Sequence, residues 1–418
     1  MSAYHFECTV CGARYEAADT KYVCPRHGDA GILDTRLISR AGIAKPGADS
    51  PRSIWRYLAL LPIEPANIEP LLAKPTPFTS VGWTPLYRAS RLGSRLGLSN
   101  LYIKDDGRNP SASFKDRASA FVVAKAIEHG EKIITTASSG NAGAALACIS
   151  AAVGLPAVIF VPAAAPQAKV AQLLMFGATV LLVKGTYDDA FDLCLAASKE
   201  FGWYCRNTAY NPFTVEGKKT VSFEIAEQLG WRAPHRVFVG VGDGNIISGV
   251  WKGFQDLLTL GWIDRMPRLY GVQAAGSAAC YNAWREGQAT GRPAPLKPVE
   301  ARTIADSISV GLPRDGLRAV RAVRETGGAF ITVGDDDILK AMKTLAQQAA
   351  VFAEPAGSVG FAGLQKMAHQ VGRDETVVVI VTGSGLKDVP AAMQAAGSAR
   401  VIEPKLSAVE AIAGQFEN

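Results

Sequence analysis

The stretch KIITTASSGNAGAALACISAAVGLPAVIFVP, residues 132–162, determines the fold class. A β-branched run, a turn of small residues, an alanine-rich segment of helical length and a second β-branched run follow one another. No charged residue lies between Lys132 and Lys169, so the stretch is apolar enough to suggest a membrane span. The Gly-Leu-Pro break at 154–156 and the change to β-branched residues instead predict a buried helix, a turn and a buried parallel strand.

The same alternation of strand-like and helix-like segments continues along the chain. Amphipathic segments of helical period, such as 113–130 and 186–202, separate short β-branched runs. The runs that we interpret as buried strands are KIITTA (132–137), AVIFVP (157–162), TVLLV (179–183), RVFVGV (236–241), RLYGVQ (268–273) and TVVVIVT (376–382). This order predicts an α/β fold in which helices flank parallel sheets. The prolines between 62 and 78 predict a connecting arm without regular structure.

Composition excludes several classes of protein. The chain has 418 residues, 48% apolar and 20% charged, which is typical of a globular protein with more than one lobe. Its net charge of +6 comes from dispersed lysines and arginines, so we expect no nucleic-acid partner. No secretion signal is recognisable and the seven cysteines are mostly scattered, so we expect a cytoplasmic protein with reduced thiols and no membrane partner.

Three turns of small residues follow predicted strands or open predicted helices, where open parallel sheets bind their ligands. SSGN (138–141) offers backbone N–H groups to an anion, with an ordinary helix cap as the alternative. GDGN (242–245) can close amides around a phosphate, and it lacks the third glycine of a dinucleotide fingerprint. TGSGLKD (382–388) presents a threonine hydroxyl that can face a ring nitrogen, with a turn that binds nothing as the alternative.

Lys115 lies at the start of a predicted buried helix. Desolvation and the positive helix end both favour its neutral amine, which is the form that condenses with an aldehyde. For Lys115 alone, a surface lysine paired with Asp116 is the simpler interpretation. The amine, the anion loop, the phosphate-binding turn and the ring-nitrogen partner together are what an aldehyde cofactor with a phosphate arm and a pyridine ring requires.

Six motifs occur in the order of a known family and span roughly residues 80–390. They are KDDGRNPSASFKDR (104–117), SSGN (138–141), NPFTVEGKKT (211–220), GDGN (242–245), EPAGSVGFAGL (354–364) and TGSGLKD (382–388). With them the chain resembles the threonine synthases, pyridoxal-phosphate (PLP) enzymes of fold type II, which share the tryptophan-synthase-β fold. The resemblance implies a lyase with two lobes that binds pyridoxal 5'-phosphate.

The resemblance also implies a role for each motif. Lys115 would be the Schiff-base lysine and the general base at the substrate α-carbon. The implied cofactor-binding residues are Phe114, Lys115, Asn141, Gly242, Asp243, Gly244, Asn245 and Thr382. The reaction implied is loss of phosphate from the γ-carbon of O-phosphohomoserine, addition of water at the β-carbon and release of threonine. A hydroxyl on the ring nitrogen suits such elimination and addition.

Two positions depart from the family pattern. Thr214 stands where the family usually has arginine, and Ala142 stands where it commonly has threonine. Both family residues are associated with the substrate's phosphate, so a bidentate cation and a hydroxyl donor are missing. The residues that we predict to bind substrate are Lys104, Ser111, Ser113, Ser138, Ser139, Gly140, Asn207 and Thr208, with Lys218 or Lys219 as further candidates.

These departures leave alternatives open for the activity. One is β-replacement on O-phosphoserine or a related activated amino acid, as in cysteate-synthase-like relatives. Another is a dehydratase-like elimination, although TGSG at 382–385 favours the synthases. The third, from a different class, is a binding module built on an inactive enzyme scaffold.

A separate signal lies in CTVCG (8–12) and CPRHG (24–28). Its four potential ligands, Cys8, Cys11, Cys24 and His27, have the spacing C-x2-C-x12-C-x2-H, which is typical of a structural zinc knuckle. A knuckle that has lost its metal is the alternative, because histidine replaces the commonest fourth cysteine. Some threonine synthases carry a related cysteine-rich N-terminus.

The expected domain organisation follows from the resemblance. Residues 1–40 form the knuckle segment, residues 41–126 and 214–418 form the larger cofactor-binding lobe, and residues 127–213 form a smaller mobile lobe. Closure of the smaller lobe over the substrate would expel water. The expected partners are a small, phosphorylated amino-acid substrate and a second copy of the chain, because family members are usually homodimers.

Overall fold

The computed structural model of the protein describes residues 4–38, 42–165 and 167–413. The strands are β1 Tyr4–Cys8, β2 Arg14–Glu16, β3 Val23–Cys24, β4 Gly28–Leu37, β5 Leu86–Arg88, β6 Asn100–Asp105, β7 Ile134–Ala137, β8 Ala157–Pro162, β9 Thr179–Val183, β10 Tyr204–Cys205, β11 Arg236–Gly240, β12 Arg268–Ala274, β13 Ala329–Val333 and β14 Thr376–Val381. The α-helices are α1 Pro65–Leu72, α2 Ser90–Leu96, α3 Lys115–Glu128, α4 Asn141–Val153, α5 Gln167–Met175, α6 Tyr187–Phe201, α7 Phe213–Gln228, α8 Asn245–Thr259, α9 Ala279–Thr290, α10 Gly316–Glu325, α11 Asp335–Ala349, α12 Pro355–Met367, α13 Val389–Ala396 and α14 Leu406–Ala413.

The larger parallel sheet has the strand order β13-β12-β11-β14-β6-β5. All neighbours pair in parallel except the edge strand β5, which is antiparallel to β6. Alternate residues of β14 enter two separate cores. Val378 and Ile380 pack with residues of α8 and α10, whereas Val377 and Val379 pack with residues of α11 and α12. Burial on both faces explains why this strand is β-branched at nearly every position.

The smaller sheet has the order β10-β7-β8-β9 and is parallel throughout. The uncharged stretch of the sequence folds as predicted, into α4, a turn at left-handed Gly154 (φ 72°) and β8. The prediction that 179–183 is a buried strand is wrong in one respect. Because β9 lies at the sheet edge, its residues are largely exposed, and Leu182 retains 56% of its accessible surface.

No helix in the described ranges is both long and apolar enough to cross a membrane. The prediction that 62–78 lacks regular structure is wrong, because α1 lies within it. Pro65 occupies the first turn of that helix, where the missing N–H would have had no helical partner. Pro70 is accommodated inside the same short helix.

The N-terminal segment forms an antiparallel sheet of order β2-β1-β4-β3. One face of β1 is buried, and the rings of Tyr4 and Phe6 each lie 5.7 Å from the ring of Phe213 on α7. Asp34 on β4 accepts a 2.5 Å hydrogen bond from Lys252 on α8. The predicted segment boundary between 40 and 41 lies outside the described residues. That boundary, the limits 41–126, 127–213 and 214–418, and the mobility of the smaller lobe stay predictions.

A network of buried ion pairs holds α3 against α7. Arg117 on α3 lies 2.6 Å from Asp106 and 2.5 Å from Glu224 on α7, with all three side chains fully buried. Lys104 on β6 adds a second cation 2.7 Å from Glu224. The helices touch where α7 carries Gly217, at which a Cβ would come within 2.1 Å of the Arg117 carbonyl oxygen. The network and the glycine together fix where α3 begins.

We predict that Arg117→Met lowers the free energy of unfolding by about 3–5 kcal/mol, because it leaves two carboxylates buried without their main cation. Urea unfolding followed by circular dichroism measures the change. Arg302→Met is the matched control, since Arg302 pairs with Glu300 on the surface with 81% and 76% of their side chains exposed. Equal shifts for the two variants would contradict the structural importance of the network.

Candidate active site

A cavity of about 650 Å³ lies between the carboxyl ends of the two parallel sheets. One wall continues from β7 through residues 138–142, and the opposite wall continues from β11 through 241–247. Segment 306–312 and the side chains of Lys115, Glu354 and Thr382 complete it. The cavity therefore lies where two open parallel sheets offer loops and helix starts to one ligand.

Lys115 projects into this cavity from the first residue of α3. No described group hydrogen bonds to its amine. Burial lowers the pKa of Lys115 below its usual value, and the Arg206 guanidinium lowers it further. The Glu354 and Asp243 carboxylates oppose this shift without reversing it. The structure thus supplies a partly buried amine biased toward the neutral, nucleophilic form.

The turn at 242–245 forms a cup of backbone at the start of α8. Gly244 has φ 88°, and a Cβ there would lie 2.8 Å from the Asp315 carbonyl oxygen. A Cβ at Gly242 would lie 2.8 Å from the Ile308 Cα. Both positions therefore require glycine. The first amides of α8 remain available to an anion, which the helix dipole also attracts.

The Asn245 side chain is held from two sides. Its carbonyl oxygen accepts a 2.5 Å hydrogen bond from buried Lys218, and its amide donates a 2.8 Å hydrogen bond to Asp315. Asp315 in turn pairs with Arg318 at 2.8 Å, and Arg318 lies 3.4 Å from Asp34 of the N-terminal sheet. A chain of polar contacts therefore connects the cup with the N-terminal segment.

Glu354 is a site residue to which the sequence analysis assigned no role. It is buried, lines the cavity and accepts a 2.7 Å hydrogen bond from the Asn141 amide. Burial raises the pKa of Glu354 to about 7, although Lys115 and the Asn141 hydrogen bond act in the opposite direction. Glu354 is the first residue of the family motif EPAGSVGFAGL (354–364) quoted above, and that motif was the signal that could have identified it.

Thr382 lines the cavity directly after β14. Its carbonyl oxygen accepts a 2.9 Å hydrogen bond from the Phe114 amide, which ties this strand end to the start of α3. No described group hydrogen bonds to the Thr382 hydroxyl. The Lys115 amine, the glycine cup at 242–245, the Asn141 amide and this hydroxyl thus surround one cavity. In that order, they fit the aldehyde, phosphate, phenolic oxygen and ring nitrogen of pyridoxal 5'-phosphate.

The predicted substrate residues divide into two groups. Ser138, Ser139, Gly140 and Thr208 line the cavity. Lys104 and Ser111 do not. Lys104 is buried and satisfied by Glu224, Gln228 and the Thr84 carbonyl oxygen, and Ser111 hydrogen bonds to Asp116. Their polar atoms are therefore used within the protein.

Phe114, Ser113 and Asn207 lie behind the cavity wall. Phe114 is fully buried next to Lys115, and Ser113 pairs as an isolated bridge with Gly383. The Asn207 carbonyl oxygen accepts hydrogen bonds from the Thr136 hydroxyl at 2.9 Å and the Ala137 amide at 2.8 Å. These residues shape the loops that carry the site.

The two departures from the family pattern have different surroundings. Ala142 lines the cavity in the first turn of α4. Thr214 is buried outside it, and its hydroxyl donates a 2.9 Å hydrogen bond to the Asn211 carbonyl oxygen. The position where the family usually has arginine therefore carries a hydroxyl that bonds to the loop before α7.

The four predicted metal ligands lie together. The ligand atoms of Cys8, Cys11, Cys24 and His27 are all within 4.8 Å of one another. His27 Nδ1 lies 3.5 Å from the Cys24 sulfur and 4.0 Å from the Cys8 sulfur. These separations suit four ligands around one tetrahedral zinc ion.

Comparisons with known proteins agree with this geometry. Residues 78–383 match the family described as pyridoxal-phosphate dependent enzyme. The chain is 37% identical to a threonine synthase of Methanosarcina acetivorans over 99% of each chain. It is 36% identical to a threonine synthase of Methanocaldococcus jannaschii over 97% of this chain and 98% of that protein.

Solved structures share the fold. The processed form of threonine deaminase isoform 2 from Solanum lycopersicum superposes with a TM-score of 0.65 at 25% identity, over 85% of this chain and 96% of that chain. Maize serine racemase superposes with a TM-score of 0.63 at 23% identity, over 77% and 91% of the two chains.

We predict that Glu354→Gln stabilises the cofactor-free protein at high pH. Because the pKa of Glu354 is raised, the folded state binds the Glu354 proton more tightly than the unfolded state does. The free energy of unfolding therefore falls as pH rises from the usual pKa of 4.5 through the folded-state pKa of about 7. Glutamine removes this loss, and the expected gain is about 2–3 kcal/mol near pH 8 and below about 1 kcal/mol near pH 5. Urea unfolding at the two pH values measures it. Exposed Glu300→Gln is the control, and a gain independent of pH would contradict the assignment.

Proposed function

We propose a threonine synthase reaction for this chain, which belongs to the pyridoxal-phosphate dependent enzyme family and, within it, to the threonine synthases. The observation that carries the proposal is one cavity that joins the Lys115 amine, the glycine cup, Thr382 and the anion loop at 138–140. The proposed substrate is O-phospho-L-homoserine, and the proposed products are L-threonine and phosphate.

Each wall of the cavity has a role in this proposal. Residues 242–245 and the start of α8 bind the cofactor's phosphate, Asn141 contacts its phenolic oxygen, and Thr382 contacts its ring nitrogen. When bound, pyridoxal 5'-phosphate stabilises the negative charge that develops at the substrate α-carbon. The amides at 138–140 bind the substrate carboxylate and hold the α-carbon next to Lys115.

Lys115 carries the proton transfers. Because burial lowers the pKa of its amine, released Lys115 can accept the α-proton of the substrate near neutral pH. A proton is then lost from the β-carbon as well, which allows phosphate to leave the γ-carbon. Addition of water at the β-carbon, with return of protons to the γ- and α-carbons, completes the conversion to threonine. In the proposed two-lobed arrangement, closure of residues 127–213 keeps other water out until phosphate has left.

A second candidate function follows from Thr214. β-Replacement on O-phosphoserine and a dehydratase-like elimination need no binding site for a phosphate at the γ-carbon. Neither reaction therefore requires an arginine at this position. Both reactions use the same amine and the same cup. Substrate preference therefore separates the candidates, whereas cofactor binding does not.

We predict that the purified protein releases phosphate and threonine in equal amounts from O-phosphohomoserine. Lys115→Ala should lower this rate by at least about 10³-fold, because no other group moves the α-proton. Lys199→Ala, an exposed change on α6, is the matched control. Turnover of O-phosphoserine without turnover of O-phosphohomoserine would overturn the proposed substrate. An inactive wild-type protein that lacks the visible absorbance of the bound cofactor would overturn the proposed enzyme.

We further propose that Cys8, Cys11, Cys24 and His27 bind one structural zinc ion. Cys11→Ser should reduce zinc from about one ion per chain to near zero, because a tetrahedral site needs all four ligands. Elemental analysis after extensive dialysis measures it. Cys148→Ala, a change at a buried cysteine of α4, should retain the metal. Zinc-free wild-type protein would contradict the proposal.

Two further expectations come from the family resemblance and from the sequence, respectively. We expect a homodimer, which light scattering on a sizing column would test. We expect a cytoplasmic location, which fractionation of the producing cells would test.

A further inference from the structure

Arg206 is a buried cation without a carboxylate partner in the described part of the chain. It follows β10, is fully buried and lines the cavity. Its Nε donates a 3.2 Å hydrogen bond to the Ser119 hydroxyl, and its Nη1 donates a 2.9 Å hydrogen bond to the Thr208 hydroxyl. Its Nη2 is buried and has no hydrogen-bond partner.

The other buried arginines around the site are neutralised by carboxylates. Arg117 has Asp106 and Glu224, and Arg318 has Asp315. Burial lowers the pKa of Arg206 to about 10, so its guanidinium is still charged at neutral pH. A buried charge with an unsatisfied N–H destabilises the protein unless a ligand pairs with it. The arrangement is that of a binding site for an anion.

The position of Arg206 indicates which anion it meets. Its amide donates a 2.8 Å hydrogen bond to the Thr135 carbonyl oxygen of β7, the strand that leads into the anion loop at 138–140. Thr208, which it contacts, lines the same cavity. The cofactor cup has its own lysine, Lys218, whose amine lies 2.5 Å from the Asn245 carbonyl oxygen. Arg206 therefore lies on the loop side of the cavity, where the proposed substrate binds.

We propose that Arg206 binds the phosphate group of the substrate and replaces the arginine that is missing at Thr214. The proposal rests on the proposed function and adds the residue that determines specificity for a phosphorylated amino acid. The free Nη2 and the Thr208 hydroxyl donate to the phosphate oxygens in this arrangement. Charge-assisted hydrogen bonds from a guanidinium suit a phosphate dianion better than hydroxyl donors alone. Arg206 and Thr208, both in the loop after β10, thus take the role that the family usually gives to an arginine at the position of Thr214 on α7.

The test compares holoenzyme variants, in which the cofactor's own phosphate occupies the cup. Arg206→Gln should lower kcat/KM for O-phosphohomoserine by about 10²–10³-fold, with an increase in KM. Arg206→Lys should recover part of the loss, because it retains the charge without the bidentate geometry. Arg321→Gln is the control, since Arg321 is 55% exposed on α10.

Binding measurements separate this role from a structural one. Inorganic phosphate should raise the melting temperature of the wild-type holoenzyme and inhibit it competitively, and both effects should vanish in Arg206→Gln. Binding of L-threonine, which has the carboxylate but no phosphate, should change by less than about twofold. The cofactor-free Arg206→Gln protein should unfold at higher urea concentration than wild type, because it loses a buried unpaired charge. This last result would exclude misfolding as the cause of the lost activity.

Two outcomes would overturn the proposal. Unchanged phosphate binding in Arg206→Gln would show that another group holds the phosphate, and an equal loss of threonine binding would show that Arg206 holds the carboxylate. Failure of the proposed function is distinguishable from both. Suppose that the wild-type holoenzyme does not turn over O-phosphohomoserine but binds O-phosphoserine or inorganic phosphate through Arg206. That result would support the anion site at Arg206 and would overturn only the proposed substrate.

Discussion

Arg117 binds two carboxylates in the protein interior, and the rest of the active site depends on that contact. Lys115 lies two residues before Arg117 on α3. The ion pairs that fix the position of Arg117 therefore also orient the Lys115 amine. Asp106 follows β6 of the larger sheet, and Glu224 lies on α7, which leads away from the smaller sheet. Such a network contributes little net stability compared with apolar packing. Removal of one partner is nevertheless strongly destabilising, because it leaves the other charge buried and unpaired. It therefore fixes one geometry for the helix start.

The distribution of buried charge distinguishes the scaffold from the site. Around α3 and α7, buried Lys104, Arg117 and Lys219 each have a carboxylate within hydrogen-bonding distance. In the cavity, Lys115 and Arg206 lack such partners among the described residues, and Glu354 has an amide partner and a raised pKa. Groups of this kind destabilise a folded chain and are kept where a ligand compensates them. A ligand that pairs with these groups is therefore expected to stabilise the folded protein.

Sequence patterns predicted β7, β8, β9, β11, β12 and β14, together with the turns that follow β7, β11 and β14, but they missed β6 and β13 of the larger sheet. They failed where tertiary position overrides local pattern. TVLLV lies at a sheet edge, which its composition does not indicate, and the proline-rich arm contains a helix because Pro65 lies in its first turn. Arg206 was not predicted as a site residue because β10, the strand before it, has only two residues. Two residues are too few to show the alternating pattern of a strand. Lys104 was predicted at the substrate because no local pattern shows that Glu224, 120 residues away, neutralises it.

A chain of polar contacts runs from Asp34 through Arg318 and Asp315 to Asn245, so the N-terminal sheet is linked to the turn at 242–245. Asp34 also neutralises Lys252, a buried cation on the helix whose first residue is Asn245. A shortened chain that starts after the N-terminal sheet would leave both cations without this carboxylate, directly behind the phosphate-binding turn. The cysteine-rich segment therefore contributes one carboxylate to the charge network behind this turn, in addition to Glu216, which pairs with Lys252, and Asp315, which pairs with Arg318.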